Sequence, residues 1–230
     1  MKILAIETSS KVCAVALLEN DKLIKEEISE DENTHSVKLM PLVDKLLKET
    51  NIKLNEIDLF ACDKGPGSFT GIRIGIATAK AFVDVTNKKT IGITSLEALA
   101  YNSEENGIIC SIIDAKNENV YYGFFKKEEN KIEQIRELGF SNINEIFEKE
   151  SIAENKIIFI GDGSIAYKEI IKSKLNTSAV FVENEKQNKL NARNIALAAY
   201  NKRQEAGDTN SLVPTYLRKS NAERMLEGNK

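Results

Sequence analysis

The chain has 230 residues, a formal charge of −3, 42% apolar and 29% charged residues, 12 glycines, 3 prolines, 3 cysteines, one histidine and no tryptophan. That balance excludes disordered and collagen-like classes, and the length suits one large domain or two lobes of about 100 residues each. A single histidine excludes any site that needs two imidazoles, and the absence of a basic excess in either half excludes a nucleic-acid footprint of the usual kind.

Three short strands are expected at Lys2–Glu7, Val12–Leu18 and Lys22–Ile28, separated by hairpin breaks at Ser9-Ser10-Lys11 and Glu19-Asn20-Asp21. Over residues 34–50 the apolar positions Leu39, Leu42, Val43, Leu46 and Leu47 recur at three and four residues, the mark of an amphipathic helix, with Pro41 either kinking it or starting it. A buried strand at Ile57–Cys62 leads through Gly65-Pro66-Gly67-Ser68 into a second helix ending near Val85. A strand at Thr90–Ile93 and a helix opening at Thr94 or Ser95 complete a β-β-β-α-β-α-β-α unit.

The second half repeats that order. Strands are expected at Ile108–Ile113, Asn119–Phe125 and Lys131–Gly139, with Lys126–Lys131 as a solvated hairpin turn. A helix at 142–149, a strand at 156–160, a helix at 164–175, a strand at 179–182 and a helix at 191–204 follow. Gly65-Pro66-Gly67-Ser68 and Gly161-Asp162-Gly163-Ser164 both join a strand to a helix, which reads as an ancient duplication. The expectation is an α/β fold of two lobes, residues 1–103 and 104–230, facing a cleft as in the actin, sugar-kinase and Hsp70 architecture. The tail after residue 207 is a candidate to return to the first lobe.

Four of the 12 glycines lie between Gly65 and Gly75. A glycine-rich turn before a helix can present N–H groups to an anion, with Arg73 adding charge, although the Gly-Lys-Ser/Thr ending of a phosphate loop is missing. The plainer reading is that the glycines serve tight turns and that Ser68 or Thr70 caps the helix. A third uses the period: Gly71, Gly75 and Ala79 leave one face nearly bare, open to close approach by another backbone, while Ile72, Ile76 and Val83 on the opposite side cover the sheet.

Other candidates carry less. His35 reads as a helix-start or interface residue rather than a base. Glu7-Thr8-Ser9-Ser10 stands where actin-like enzymes place a phosphate loop, and Asp63 and Asp114 end buried strands at what read as corresponding places, where a carboxylate can serve Mg²⁺-bound phosphate or simply cap a turn. Cys13, Cys62 and Cys110 lie in apolar runs as buried hydrophobes do, neither disulfides nor zinc ligands. Without a basic leader or an apolar stretch of about 18 residues, no signal peptide or membrane span is expected and the chain reads as cytoplasmic.

Met1–Ser9, Thr34-His35-Ser36 ahead of a Leu-rich helix, the run Gly65-Pro66-Gly67-Ser68-Phe69-Thr70-Gly71-Ile72-Arg73-Ile74-Gly75, Asp114–Tyr121 and Pro214–Arg218 together resemble the bacterial TsaB family, also called YeaZ. The resemblance spans essentially the whole chain, and it implies a two-lobed actin-like, ribonuclease H-like fold. It also implies a non-catalytic role in forming N6-threonylcarbamoyladenosine next to the anticodon of ANN-decoding tRNAs, as partner of the transferase TsaD and with the ATPase TsaE. No cofactor of its own, no metal and no catalytic residue are implied. ATP or ADP enters at the level of the complex, tRNA is met through TsaD, and the isolated chain is expected to form a homodimer.

In the catalytic paralogue a His-Met-Glu-Gly-His segment binds metal. The same place here reads Ser95-Leu96-Glu97-Ala98-Leu99, with Ser95 and Leu99 at the two histidine positions. The resemblance places the pairing helices at 34–50 and 70–84, with Leu39, Leu42, Leu46, Gly71, Gly75 and Ala79 near the interface, and Gly65, Pro66, Gly67, Ser68, Phe69, Thr70, Gly71 and Arg73 as the signature loop. It follows that Gly75→Leu should block pairing while leaving the lobe folded. The rival readings are an actin-like ATP-dependent kinase or ATPase using Asp63 or Asp114 with Mg²⁺, and a metalloprotease, which the single histidine opposes.

Overall fold

In the computed structural model, residues 1–29, 35–149 and 156–218 are described; Thr34 and the tail beyond Arg218 lie outside them. The first half forms β1 (Lys2–Glu7), β2 (Cys13–Glu19), β3 (Lys22–Ser29), α1 (His35–Thr50), β4 (Leu59–Asp63), α2 (Phe69–Thr86), β5 (Lys89–Ile93) and α3 (Ser95–Ala100). The second forms β6 (Gly107–Asp114), β7 (Asn119–Glu128), β8 (Lys131–Gln134), β9 (Gly139–Asn142), α4 (Ile143–Lys149), β10 (Ile157–Ile160), α5 (Asp162–Ala166), α6 (Lys168–Leu175), β11 (Ala179–Phe181) and α7 (Ala192–Asn201).

Differences from the sequence reading are local. The stretch 131–139 is two strands, β8 and β9, both paired with β7, because the chain leaves the edge after Gln134 and returns at Gly139. The expected helix 164–175 is divided: α5 ends at Ala166, because the φ of −114° and ψ of 23° at Tyr167 break the helical run, and α6 starts at Lys168. Helix α1 runs through Pro41 from His35, burying Leu39, Val43 and Leu46.

The two sheets repeat one strand order, β3-β2-β1-β4-β5 and β8-β7-β6-β10-β11, with the inner crossovers parallel and the hairpins antiparallel. β1 therefore corresponds to β6 and β4 to β10. Asp63, at the end of β4, matches the Gly161–Asp162 turn rather than Asp114; the partner of Asp114 is Glu7. This corrects the pairing expected from sequence, where strand ends were matched without knowing which strands are central.

Helices α1 and α2 lie side by side on one face of the first sheet, α1 over β2 and β3, α2 over β4. The last helix of each half covers the other half's sheet: α3 packs on β6 and β7, and α7 packs on β1 and β2. One apolar core consequently spans both lobes, joining Ile3, Ala5 and Leu18 to Leu96, Leu99, Ile109, Ile195 and Ala198. Each fully buried Leu or Ile contributes about 1.5–3 kcal/mol, so the exchanged helices bind the lobes firmly. The chain after α7 then turns back along the first lobe. Thr90 and Gly207 exchange backbone hydrogen bonds of 2.9 and 3.0 Å, and Leu212 is fully buried.

Candidate functional site

The ends of β1 and β4, the signature loop and the start of α3 meet in one polar knot. Ser68 caps α2, its Oγ accepting from the Gly71 N–H at 3.2 Å, and its own N–H donates to the Ser9 carbonyl at 2.7 Å. Gly65 holds φ +95°, a left-handed conformation that favours glycine, and donates its N–H to Asp63 Oδ1 at 2.6 Å. The N–H groups of Gly65, Ser68 and Gly71 are thus used within the chain, which weakens the reading of this loop as an anion cradle.

Asp63 and Glu7 are both fully buried. Ser9 Oγ lies 3.0 Å from Glu7 Oε1 and 3.0 Å from Asp63 Oδ2; Ser95 Oγ lies 2.8 Å from Asp63 Oδ1 and 2.8 Å from the Pro66 carbonyl. Burial, reinforced by the Asp63 carboxylate, pushes the Glu7 carboxyl well above its usual range. Burial also raises Asp63, against the bonds it accepts from Glu7, Gly65, Ser95 and Ser9. With these partners Asp63 is committed to holding β1, the loop and α3 together.

Asp114 differs. Its Oδ1 accepts from the Lys116 N–H at 2.8 Å and the Tyr167 hydroxyl at 3.0 Å, and its Oδ2 meets Lys116 Nζ at 2.6 Å. Partial burial opposes ionisation, yet the Lys116 bonds win and hold the carboxyl below its usual range. Asp114 faces a cleft of about 1610 Å³ between the lobes, whose first-lobe wall is the Ser9–Val12 turn and the Pro66–Thr70 loop. Among the described residues no group of three or more His, Cys, Asp or Glu side chains is placed to hold a metal.

Of the two residues expected at histidine positions of the paralogue, Ser95 is fully buried in the polar knot and Leu99 is packed in the interlobe core. Glu97 is buried and paired through Oε2 with Lys202 Nζ at 2.8 Å; burial raises its carboxyl, and Lys202 counters that. His35 Nε2 lies 2.8 Å from the Ser10 carbonyl, tying the start of α1 to the β1–β2 turn.

The six residues expected at a partner face point into the first lobe instead. Leu39, Leu46 and Ala79 are buried, and Leu42 packs at the edge of the same core. A Cβ on Gly71 would overlap the Thr8 carbonyl, and one on Gly75 would come within 2.5 Å of Thr8 Oγ1 and 3.1 Å of Cys62 Sγ. The bare helix face admits the backbone at the end of β1, with Thr8 Oγ1 donating to the Gly71 carbonyl at 2.8 Å. Ile72, Ile76 and Val83 are buried beside it, since residues one apart on a helix sit only about 100° apart. Gly75→Leu therefore disrupts the lobe rather than sparing it, a correction of the expectation above.

What α1 and α2 leave outward is another set of apolar side chains: on α1 Val37 is 67% exposed and Met40 50%, and on α2 Val85 is 81% exposed, with Ala77 and Ala81 also exposed. Their spacing, 37–40 and 77–81–85, was a usable signal masked by the stronger leucine stripe.

Residues 22–226 match the family profile described as TsaD: tRNA N6-adenosine threonylcarbamoyltransferase. The chain is 34% identical over 224 residues to the tRNA threonylcarbamoyladenosine biosynthesis protein TsaB of Bacillus subtilis, covering 97% of this chain and 96% of the relative. It is 33% identical over 135 residues to the protein of the same name from Escherichia coli, covering 57% and 58%. The solved structure of YeaZ from Pseudomonas aeruginosa superposes with a TM-score of 0.80 at 23% identity, over 94% of this chain and 99% of that one, and so shares the fold. With its duplicated actin-like lobes and its signature loop, the chain belongs to the TsaB family and so has a role in tRNA threonylcarbamoyladenosine biosynthesis.

Proposed function

We infer that this chain is the non-catalytic assembly and activating subunit of the machinery that forms N6-threonylcarbamoyladenosine in ANN-decoding tRNAs, and that it pairs with TsaD in the cytoplasm. The observation that carries this reading is the fate of the Ser95–Leu99 segment. Its side chains are spent on internal packing, with Ser95 bonded to Asp63 and Leu99 in the core, so they offer no nitrogen ligand for a catalytic metal. The exposed apolar side chains Val37 and Met40 on α1 and Val85 on the adjacent α2 suit a helical pairing surface for TsaD or, in the isolated chain, for a second copy. TsaE joins the assembly, ATP or ADP serves the complex rather than a site of this chain alone, and tRNA is engaged through TsaD.

Reconstitution with purified TsaD, TsaE and substrate tRNA, leaving out one component at a time, tests this. Modification should fail when this chain is omitted, and Met40→Asp should reduce co-elution with TsaD while the melting temperature stays unchanged. Threonylcarbamoyl transfer by this chain alone, or full modification without it, overturns the reading.

A further inference from the structure

The segment that closes the described chain crosses from one lobe to the other. Up to Thr215 it belongs to the first lobe: Gly207 bridges Thr90, Leu212 is buried beside Gly92, and the Thr215 N–H donates to the Lys64 carbonyl at 2.7 Å. Tyr216 then stacks on Phe69, with ring centroids 4.5 Å apart and planes 9° from parallel, and its hydroxyl accepts from Arg73 Nε at 2.9 Å. Two residues later the contacts change lobe. Arg218 donates to the Ala115 carbonyl at 3.3 Å and lies over the Phe140 ring at 5.2 Å, and Phe140 in turn packs on Tyr121.

Tyr216, Leu217 and Arg218 all line the interlobe cleft, facing the Pro66–Thr70 loop on one side and Asp114–Lys116 on the other. We propose that Tyr216–Arg218 is a releasable strap laid across the interlobe cleft that couples its two walls, its first end fastened by Phe69 and Arg73 and its second by Ala115 and Phe140.

The chemistry of the fastenings suits release. A ring stack, one hydroxyl bond and one cation over a ring are each weak in partly exposed surroundings, and between them only the half-buried Leu217 packs against the apolar core that joins the lobes through α3 and α7. The two fastenings are in series along three residues, so the strap bridges the cleft only while both hold.

A series linkage has a signature that ordinary surface contacts lack. Tyr216→Ala should speed amide hydrogen exchange roughly tenfold in the second-lobe wall at Asp114–Glu118, and Arg218→Ala should do the same in the first-lobe wall at Gly67–Thr70, each acting across the cleft. The double variant should exceed neither single by much, because either break frees the strap. Tyr216→Phe, which keeps the stack but loses the hydroxyl, should fall between wild type and Tyr216→Ala and stands in for it if that variant does not fold. Exchange changes confined to the lobe that carries each lost contact, or additive effects in the double variant, overturn the proposal. Both measurements use the isolated full chain, so they stand apart from whether TsaD is its partner.

Discussion

The two lobes put the same topology to opposite electrostatic use. At the end of the central strand of the first sheet, Glu7 is sealed from water against Asp63 and burial pushes its carboxyl up; at the equivalent end of the second, Asp114 faces the cleft and Lys116 holds its carboxyl below the usual range. The turns that follow the neighbouring strands diverge in the same way. Ser68 launches the uninterrupted 18-residue helix α2, whereas the Gly161 turn opens the short α5, which stops before α6 begins. A duplicated fold fixes where chain ends converge, but solvent access decides which charge state lives there.

The strongest way to break the first-lobe arrangement is Gly75→Leu. Its side chain must displace Thr8 and Cys62 where the end of β1 touches α2, and overpacking against backbone costs about 3 kcal/mol or more. Chemical denaturation should show a large loss of stability, and a variant with an unchanged midpoint would contradict the close approach of β1 and α2.

Glu7→Gln probes the sealed carboxyl. A folded-state pKa raised above the unfolded value means that the native state binds a proton the unfolded chain has released. Stability is then full below the unfolded value of about 4.3 and falls as pH rises toward the folded one, by up to about 1.4 kcal/mol per pH unit for one proton. The amide neither titrates nor loses its donor to Asp63, so the melting-temperature difference between Glu7→Gln and wild type should grow in the variant's favour from pH 5 to pH 8. Parallel pH profiles would place the proton elsewhere.

Asp114→Asn probes the open carboxyl, with the sign reversed. The lowered pKa contributes stability that is present above the unfolded value and is lost as pH falls through the folded one. Because Lys116 is 81% exposed, the pair is screened and the expected loss at pH 7 is small, about 0.5–1 kcal/mol, vanishing in acid. A pH-independent loss, measured as melting temperature between pH 3 and pH 7, would assign the effect to the Tyr167 bond instead.

The order of elements along the chain, the hairpins, α1 and α2 were legible because period-2 and period-3.6 apolar patterns and turn residues are local properties of the chain. The family was legible from the Gly65–Gly75 run. The direction of the Gly71–Gly75–Ala79 face was not, since a bare face is equally suited to a partner helix and to the lobe's own strand end. Glu7 showed as a candidate phosphate-loop residue, but nothing local reveals that it meets Asp63 from a strand distant in sequence.

The sequence by itself determined the main elements, their repeated order along the chain and the family. Only the tertiary structure decided which side of each helix is buried, that α3 and α7 change sheets, and that Tyr216 and Arg218 reach opposite lobes. The physical reason is that periodicity defines an apolar face without naming what covers it, whereas burial, proton affinity and cross-lobe contacts depend on neighbours brought together from distant parts of the chain.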